Sequence, residues 1–214
     1  MVILRDYKVA AFMALSAMFT LTGYEFIRSA STVLFKSAYG ADKLPLVMAA
    51  MPIVVFFGVW LYSRLLSLLG PRRTLLVTSL GSGLSILACY LILLTGVKWI
   101  TPVLFLLKEF YIVLLIEQYW SYINSSLSSK TAKQVNGPVT GIAGLGGAIG
   151  GTLVGATAGE YGAETMVLFA AIACLPAALV SNAGYVLFGE PEMPARPVTS
   201  DPMGLHLLKD NPTL

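Results

Sequence analysis

The stretch Val9–Tyr39, VAAFMALSAMFTLTGYEFIRSASTVLFKSAY, decides the fold class because it is mostly apolar and long enough to cross a membrane. It also carries polar and charged side chains that are costly to bury in lipid. On a helix they fall within one stripe about 120° wide. These residues are Thr22, Glu25, Arg28, Ser29, Thr32 and Lys36. A charge at the centre of a bilayer costs roughly 2.5–3.5 kcal/mol on insertion scales, so the stripe needs a partner or a hydrated cavity.

The composition places the whole chain in the membrane class. Of its 214 residues, 57% are hydrophobic and only 12% are charged, and the mean hydropathy is +0.78, outside the range of soluble domains. Stretches of roughly 20 or more apolar residues are long enough to span the hydrocarbon core as helices. They lie at about 9–36, 44–66, 74–96, 100–123, 139–158 and 165–188. The sequence therefore predicts an all-α membrane protein with six transmembrane helices, the first retained instead of cleaved as a signal peptide.

Lysine and arginine placement predicts the orientation. With the N-terminus inside, the external loops hold only Lys43 and Lys98. The cytoplasmic segments hold Arg5, Lys8, Arg64, Arg72, Arg73, Lys130, Lys133, Arg196 and Lys209. This bias predicts that both termini are cytoplasmic, and it accounts for the net charge of +3 without a nucleic-acid partner. An integral protein of a bacterial inner membrane is the expected location.

Two regions are predicted: a six-helix transmembrane domain at 1–188 and a Pro-rich cytoplasmic tail, or linker between two halves, at 189–214. Cys89 and Cys174 fall inside apolar stretches, and the single histidine, His206, lies in the tail. No metal-ligand spacing, disulfide pattern or nucleophile–base set is present in the sequence. We therefore expect no metal, no cofactor and no enzymatic activity, and hence no catalytic residues.

The fourth apolar stretch is a second polar centre. On a helix, Lys108 shares one side with Tyr111, Gln118, Tyr119 and Tyr122. The side chains of Glu109, Glu117, Trp120 and Asn124 form another stripe. Neighbours in sequence diverge on a helix, so Lys108 and Glu109 are not expected to form a private pair.

Two interpretations of these charges remain open. Cross-helix pairs such as Arg28–Glu109 or Lys36–Glu117 could be static links, or the charges could line a translocation pathway. We favour the pathway. Its candidate residues are Glu25, Arg28, Lys36, Lys108, Glu109, Glu117 and Asn124.

Glycines dominate the fifth stretch. Gly147, Gly151, Gly155 and Gly159 recur every four residues, beside Gly141, Gly144, Gly146 and Gly150. Small residues at this spacing let two membrane helices approach closely. The pattern predicts a helix-packing face, either static within one bundle or moving between bundles.

Several segments resemble a known family. Phe26-Ile-Arg-Ser-Ala-Ser-Thr-Val-Leu-Phe-Lys-Ser-Ala-Tyr-Gly-Ala-Asp-Lys-Leu-Pro45 is similar to an Arg-x-x-Lys-Asp segment followed by Gly-Ala and Pro. Later motifs of the same family are similar to three further segments: Leu61-Tyr-Ser-Arg64 with Arg72-Arg73, Leu107-Lys-Glu-Phe-Tyr111, and Tyr119-Trp-Ser-Tyr-Ile-Asn124 followed by Thr131-Ala-Lys133. The chain thus resembles the N-terminal six-helix half of the major facilitator superfamily, and within it the ATP/ADP translocase-type nucleotide transporters.

This resemblance implies a secondary carrier of a small anionic solute, and the solutes of the resembled family are nucleotides. Such a carrier works by alternating access around a site shared by two halves. The second half would be a second copy, a partner subunit or a C-terminal half absent from this sequence. Ser31 and Thr32 stand where the family has a lysine implicated in nucleotide binding and an acidic residue, so a polyphosphate substrate is less favoured. The alternative is a non-transporting membrane anchor or scaffold whose stripes contact other membrane subunits.

Overall fold

The computed structural model describes the backbone of residues 2–127 and 129–189, and side chains within 5–123, 127 and 131–189. All regular structure in these residues is helical. The elements are α1 (Val2–Tyr39), a 3₁₀ turn (Ala41–Lys43), α2 (Leu44–Ala49), α3 (Met51–Leu93), α4 (Ile100–Ser126) and α5 (Ser129–Phe188). The predicted tail at 189–214 lies outside the described residues, apart from Gly189.

Helix α3 is a hairpin, because its backbone breaks at Gly70 into α3a (51–69) and α3b (71–93). Gly70 has φ 75° and ψ 170°, a conformation open almost only to glycine, and a proline follows it at the start of α3b. Tyr62 hydrogen-bonds with Ser121, and Thr78 with Gln118. On one continuous helix Tyr62 and Thr78 would be about 24 Å apart, yet their α4 partners lie within one turn.

Helix α5 is also a hairpin, with the break at Gly162 (φ 79°, ψ 167°) dividing it into α5a (129–161) and α5b (163–188). The α1 helix lies between the two arms. Tyr7 bonds Gln134 and Thr22 bonds Gly146, so α5a runs parallel to α1. Ser16 bonds Ala177 and Arg5 bonds Phe188, so α5b runs antiparallel to it.

The core surrounds α1. Its largest fully buried side chains include Met13, Ile27, Ile86, Leu104 and Tyr111, contributed by α1, α3b and α4. Lipid is as apolar as these side chains, so helices in a membrane associate through close packing and interhelical hydrogen bonds. Buried alanines on facing sides of α1 and α5b serve this contact: Ala10, Ala14, Ala17, Ala170 and Ala177.

The all-α prediction is confirmed. The six predicted apolar stretches are largely helical, although 44–66 is divided between α2 and α3a and 74–96 extends past the end of α3b at Leu93. Three helices are long and apolar enough to cross a membrane: Arg5–Tyr39, Ala41–Leu93 and Thr131–Phe188. Exposed apolar side chains cover their outer surfaces, as at Ile53, Leu84 and Leu179. The structure therefore has the character of an integral membrane protein.

Candidate functional site on the face of α1 and α4

The polar stripe of α1 packs against α5a at Thr22, which bonds the Gly146 carbonyl, and is exposed further along the helix at Arg28. Arg28 Nε and Nη2 donate to Glu25 Oε2 at 3.1 and 2.7 Å. The Arg28 side chain is 54% exposed and that of Glu25 18%. Lys36, two turns further along this side, is also exposed. The stripe therefore presents a bonded pair and an outlying cation to the surroundings of the chain.

On α4, Lys108 and Glu109 form an ion pair, with Lys108 Nζ 2.7 Å from Glu109 Oε1. The expectation that these neighbours would not pair is wrong. The Lys108 side chain is long enough to fold back, which places Nζ 3.9 Å from the ring centre of Phe105. A buried aliphatic stem, an aromatic face and a carboxylate together accommodate the lysine cation away from water.

Tyr24 brings the two ion pairs into one site. Its phenol lies within electrostatic range of Glu109 on α4 and of Glu25 and Arg28 on its own helix. One turn away, the Tyr111 hydroxyl donates to the Thr20 carbonyl at 2.9 Å and fixes the height of α4 against α1. Sequence reasoning missed this role for Tyr24, and its position next to Glu25 was the available signal.

The two polar stripes of α4 have different surroundings. The stripe of Lys108 is buried: Gln118 exchanges hydrogen bonds with Thr78 on α3b, and Tyr111 bonds α1. On the other stripe, Glu109 is part-buried and Glu117 is exposed. One polar stripe of α4 is therefore enclosed by the bundle, and the other lies open.

The structure brings together only some of the predicted pathway residues. Glu25, Arg28 and Glu109 lie within electrostatic range of Tyr24, and Lys108 joins them through its pair with Glu109. Lys36 and Glu117 lie at opposite ends of this face, with Glu117 near Tyr62. The Asn124 side chain lies outside the described residues.

Cross-helix salt bridges are not formed in the described part of the chain. Its ion pairs are Glu25–Arg28, Asp42–Lys43 and Lys108–Glu109, so Arg28–Glu109 and Lys36–Glu117 are not joined. Ser31, which stands where the resembled family has its lysine, is fully buried and bonds the Arg28 carbonyl. That position therefore faces the bundle interior instead of the open side.

The glycines of α5a divide into two sets. A Cβ atom at Gly150 would lie 2.8 Å from the Thr22 carbonyl oxygen, and one at Gly146 would clash with the Met18 carbonyl. At the four predicted glycines, Gly147, Gly151, Gly155 and Gly159, a Cβ atom would meet nothing within 4 Å. Close packing within the chain uses Gly146 and Gly150, and a packing role for the other four concerns a surface outside this chain and stays a prediction.

The described residues contain no group of three or more His, Cys, Asp or Glu side chains that could hold a metal ion. Comparisons with protein-family models, curated proteins and solved structures found no match to this chain. The family resemblance given above therefore rests on the quoted residues alone.

Proposed function

We propose that this protein is one half of a secondary transporter that moves a small anionic solute across a membrane by alternating access. The hairpins at Gly70 and Gly162 support six crossings instead of three, because each turns one long apolar helix into two antiparallel arms. With α1 and α4, this arrangement is that expected of a half bundle of the major facilitator type, with both termini on the same side.

The observation that carries the proposal is the exposed Glu25–Arg28 pair on an apolar helix long enough to cross a membrane. Lipid cannot stabilise a guanidinium and a carboxylate at that position. Glu109 adds a further part-buried charge to the same face, through Tyr24. Such a face requires water or a polar partner, and a hydrated pathway between two halves supplies both.

The geometry suggests how an anion would be handled. The two bonds from Arg28 to Glu25 use Nε and Nη2, so Nη1 is not engaged by Glu25. An incoming carboxylate or phosphate oxygen accepts from Nη1 and competes with Glu25 for the guanidinium. Lys36 attracts the anion at the outer end of the stripe. When the solute leaves, Glu25 neutralises Arg28 again.

The complete carrier requires a second half, supplied by a second copy, a partner subunit or a C-terminal half in a longer chain. The nucleotide-like nature of the solute and the location in a bacterial inner membrane are inferred from the family resemblance. The buried position of Ser31 is consistent with a binding face that lacks the family's additional cation.

The test is uptake into liposomes by the full chain. Labelled inorganic phosphate, a dicarboxylate and ADP are offered separately to wild type, Arg28→Gln and Lys43→Gln. Lys43 is a matched control because it is an exposed, ion-paired cation outside the site. We expect at least one anion to enter above protein-free vesicles, with uptake at least about tenfold lower for Arg28→Gln, the scale of one lost charge-assisted hydrogen bond.

Lys43→Gln should retain wild-type uptake. Equal uptake by wild type and Arg28→Gln would remove Arg28 from the pathway, and no uptake of any anion by the intact assembly would contradict the carrier.

One observation favours a second candidate, a non-transporting scaffold subunit. The open side of α5a, with Gly147, Gly151, Gly155 and Gly159, allows close approach of a helix from another subunit. The polar stripe of α1 would then contact the same partner. A cysteine at Thr32 distinguishes the two. In the intact assembly a membrane-impermeant charged thiol reagent modifies it if the face is hydrated, whereas a dry subunit interface protects it.

A further inference from the structure

We propose that a single water molecule binds inside the bundle, at the junction of α1, α3b and α4, with the Tyr119 hydroxyl as its principal anchor. A cavity of about 10 Å³ lies at this junction, and Tyr119 lines it. Tyr119 is only 5% exposed, and its hydroxyl bonds to no described protein group. A buried hydroxyl without a partner is costly, so this oxygen points to a ligand.

Three further hydroxyls from two other helices line the same cavity: Ser16 and Thr20 on α1, and Ser79 on α3b. Ser16 Oγ donates to the Ala177 carbonyl at 2.9 Å, and Thr20 Oγ1 donates to the Ser16 carbonyl at 3.0 Å. Because each of these two hydroxyls donates its only proton to a backbone carbonyl, its oxygen can still accept a hydrogen bond. A water molecule can therefore accept from Tyr119 and donate to Ser16 and Thr20, matching the two to four bonds typical of buried water.

Size and charge select water over other ligands. A volume near 10 Å³ is close to the least that holds one water molecule, and it admits nothing with several heavy atoms. The remaining lining is apolar and includes Met13, Leu75 and Leu115. No carboxylate lines the cavity to compensate a monovalent cation, whose burial in such surroundings is costly.

The first test uses the sign of a stability change. Tyr119→Phe keeps the ring, which packs edge-on against Trp120, and removes only the hydroxyl. If water bridges Tyr119 to the other helices, this variant loses hydrogen bonds, and its unfolding midpoint falls by about 2–4 °C. If the hydroxyl is unpaired, its removal relieves a penalty and the midpoint stays level or rises.

Thr74→Val is the matched control. Thr74 Oγ1 is also buried without a described partner, but Thr74 does not line the cavity. This variant should therefore leave the midpoint unchanged or raise it. Unfolding can be followed with a fluorogenic maleimide, because Cys89 and Cys174 are buried until the bundle opens. A fall for Tyr119→Phe without a fall for Thr74→Val supports the proposal, and parallel behaviour of the two variants overturns it.

A direct measurement keeps the proposal testable if a variant fails to fold. In an experimental map of the wild-type protein that resolves ordered water, a peak should lie about 2.6–3.2 Å from Tyr119 Oη. It should lie within the same range of at least one of the three lining hydroxyls. Continuous protein density without such a peak overturns the proposal.

Discussion

The two ion pairs of the site differ in how much protein surrounds them. Lys108 has a side chain that is 6% exposed, whereas Arg28 is 54% exposed. A buried charge that loses its partner is strongly destabilising, while an exposed pair contributes little to stability. We therefore assign the Lys108–Glu109 pair to the stability of α4, and the Glu25–Arg28 pair to contact with what lies outside the chain.

Glu109→Gln should destabilise the protein by about 3–5 kcal/mol, because it leaves the Lys108 ammonium buried without its carboxylate. The double variant Lys108→Met/Glu109→Gln should recover most of this loss, since an apolar stem then fills the same space. Unfolding midpoints of the wild type, Glu109→Gln and the double variant provide the check. If the single and double variants unfold together, the ammonium is not the cause.

Arg28→Gln should change the unfolding midpoint little, because exposed pairs contribute only about 0–1 kcal/mol. A folded but transport-deficient Arg28→Gln protein is the expected combination, so the stability measurement accompanies the uptake assay. A large fall in the midpoint would instead assign this pair a structural role.

At the scale of the element, the glycine-rich helix shows what sequence spacing can and cannot determine. Glycines every four residues predict a helix suited to close contact. The side that packs on α1, however, is that of Gly146 and Gly150, one residue out of phase with the most regular series. Because both series have the same spacing, only the neighbouring helix, through Met18 and Thr22, distinguishes them.

Gly150→Ala should be clearly destabilising, whereas Gly151→Ala should be neutral for the isolated chain. The new Cβ at Gly150 would press on the Thr22 carbonyl oxygen at 2.8 Å and on Glu25 Cβ at 2.9 Å, so α1 or α5a must shift. At Gly151 the methyl enters open space. The midpoints of the two variants, measured in the same detergent, check this; equal losses would contradict the packing of α5a on α1.

For the whole molecule, apolar runs and turn residues predict the helices well, because length and hydropathy determine which segments can cross lipid. Gly70-Pro71 marks its turn in the sequence. Side-chain partners are less predictable, as the Lys108–Glu109 pair shows. A long flexible side chain can reach groups that lie on a different side of the helix from its own Cα atom. The convergence on Tyr24 follows from the rotation and height of α1 against α4, which no spacing within either helix specifies.

The proposed six crossings predict a labelling pattern for single cysteines introduced after replacement of Cys89 and Cys174 by alanine. In intact cells an impermeant maleimide should react at the outer positions Asp42, Lys98 and Glu160, and not at the inner positions Arg73 and Lys133. All five should react after permeabilisation. Labelling of the Lys133 site in intact cells would contradict the hairpin of α5 and the proposed orientation.

The position of α1 between the arms of α5 has a consequence for biosynthesis. Helix α1 is synthesised well before α5b, yet it packs against that arm, through Ser16 with Ala177 and Arg5 with Phe188. These contacts span 161 and 183 residues of chain, so their closure is slow compared with local pairing. Until α5 is made, the small-residue surface of α1 lacks its native cover and stays exposed to non-native contacts.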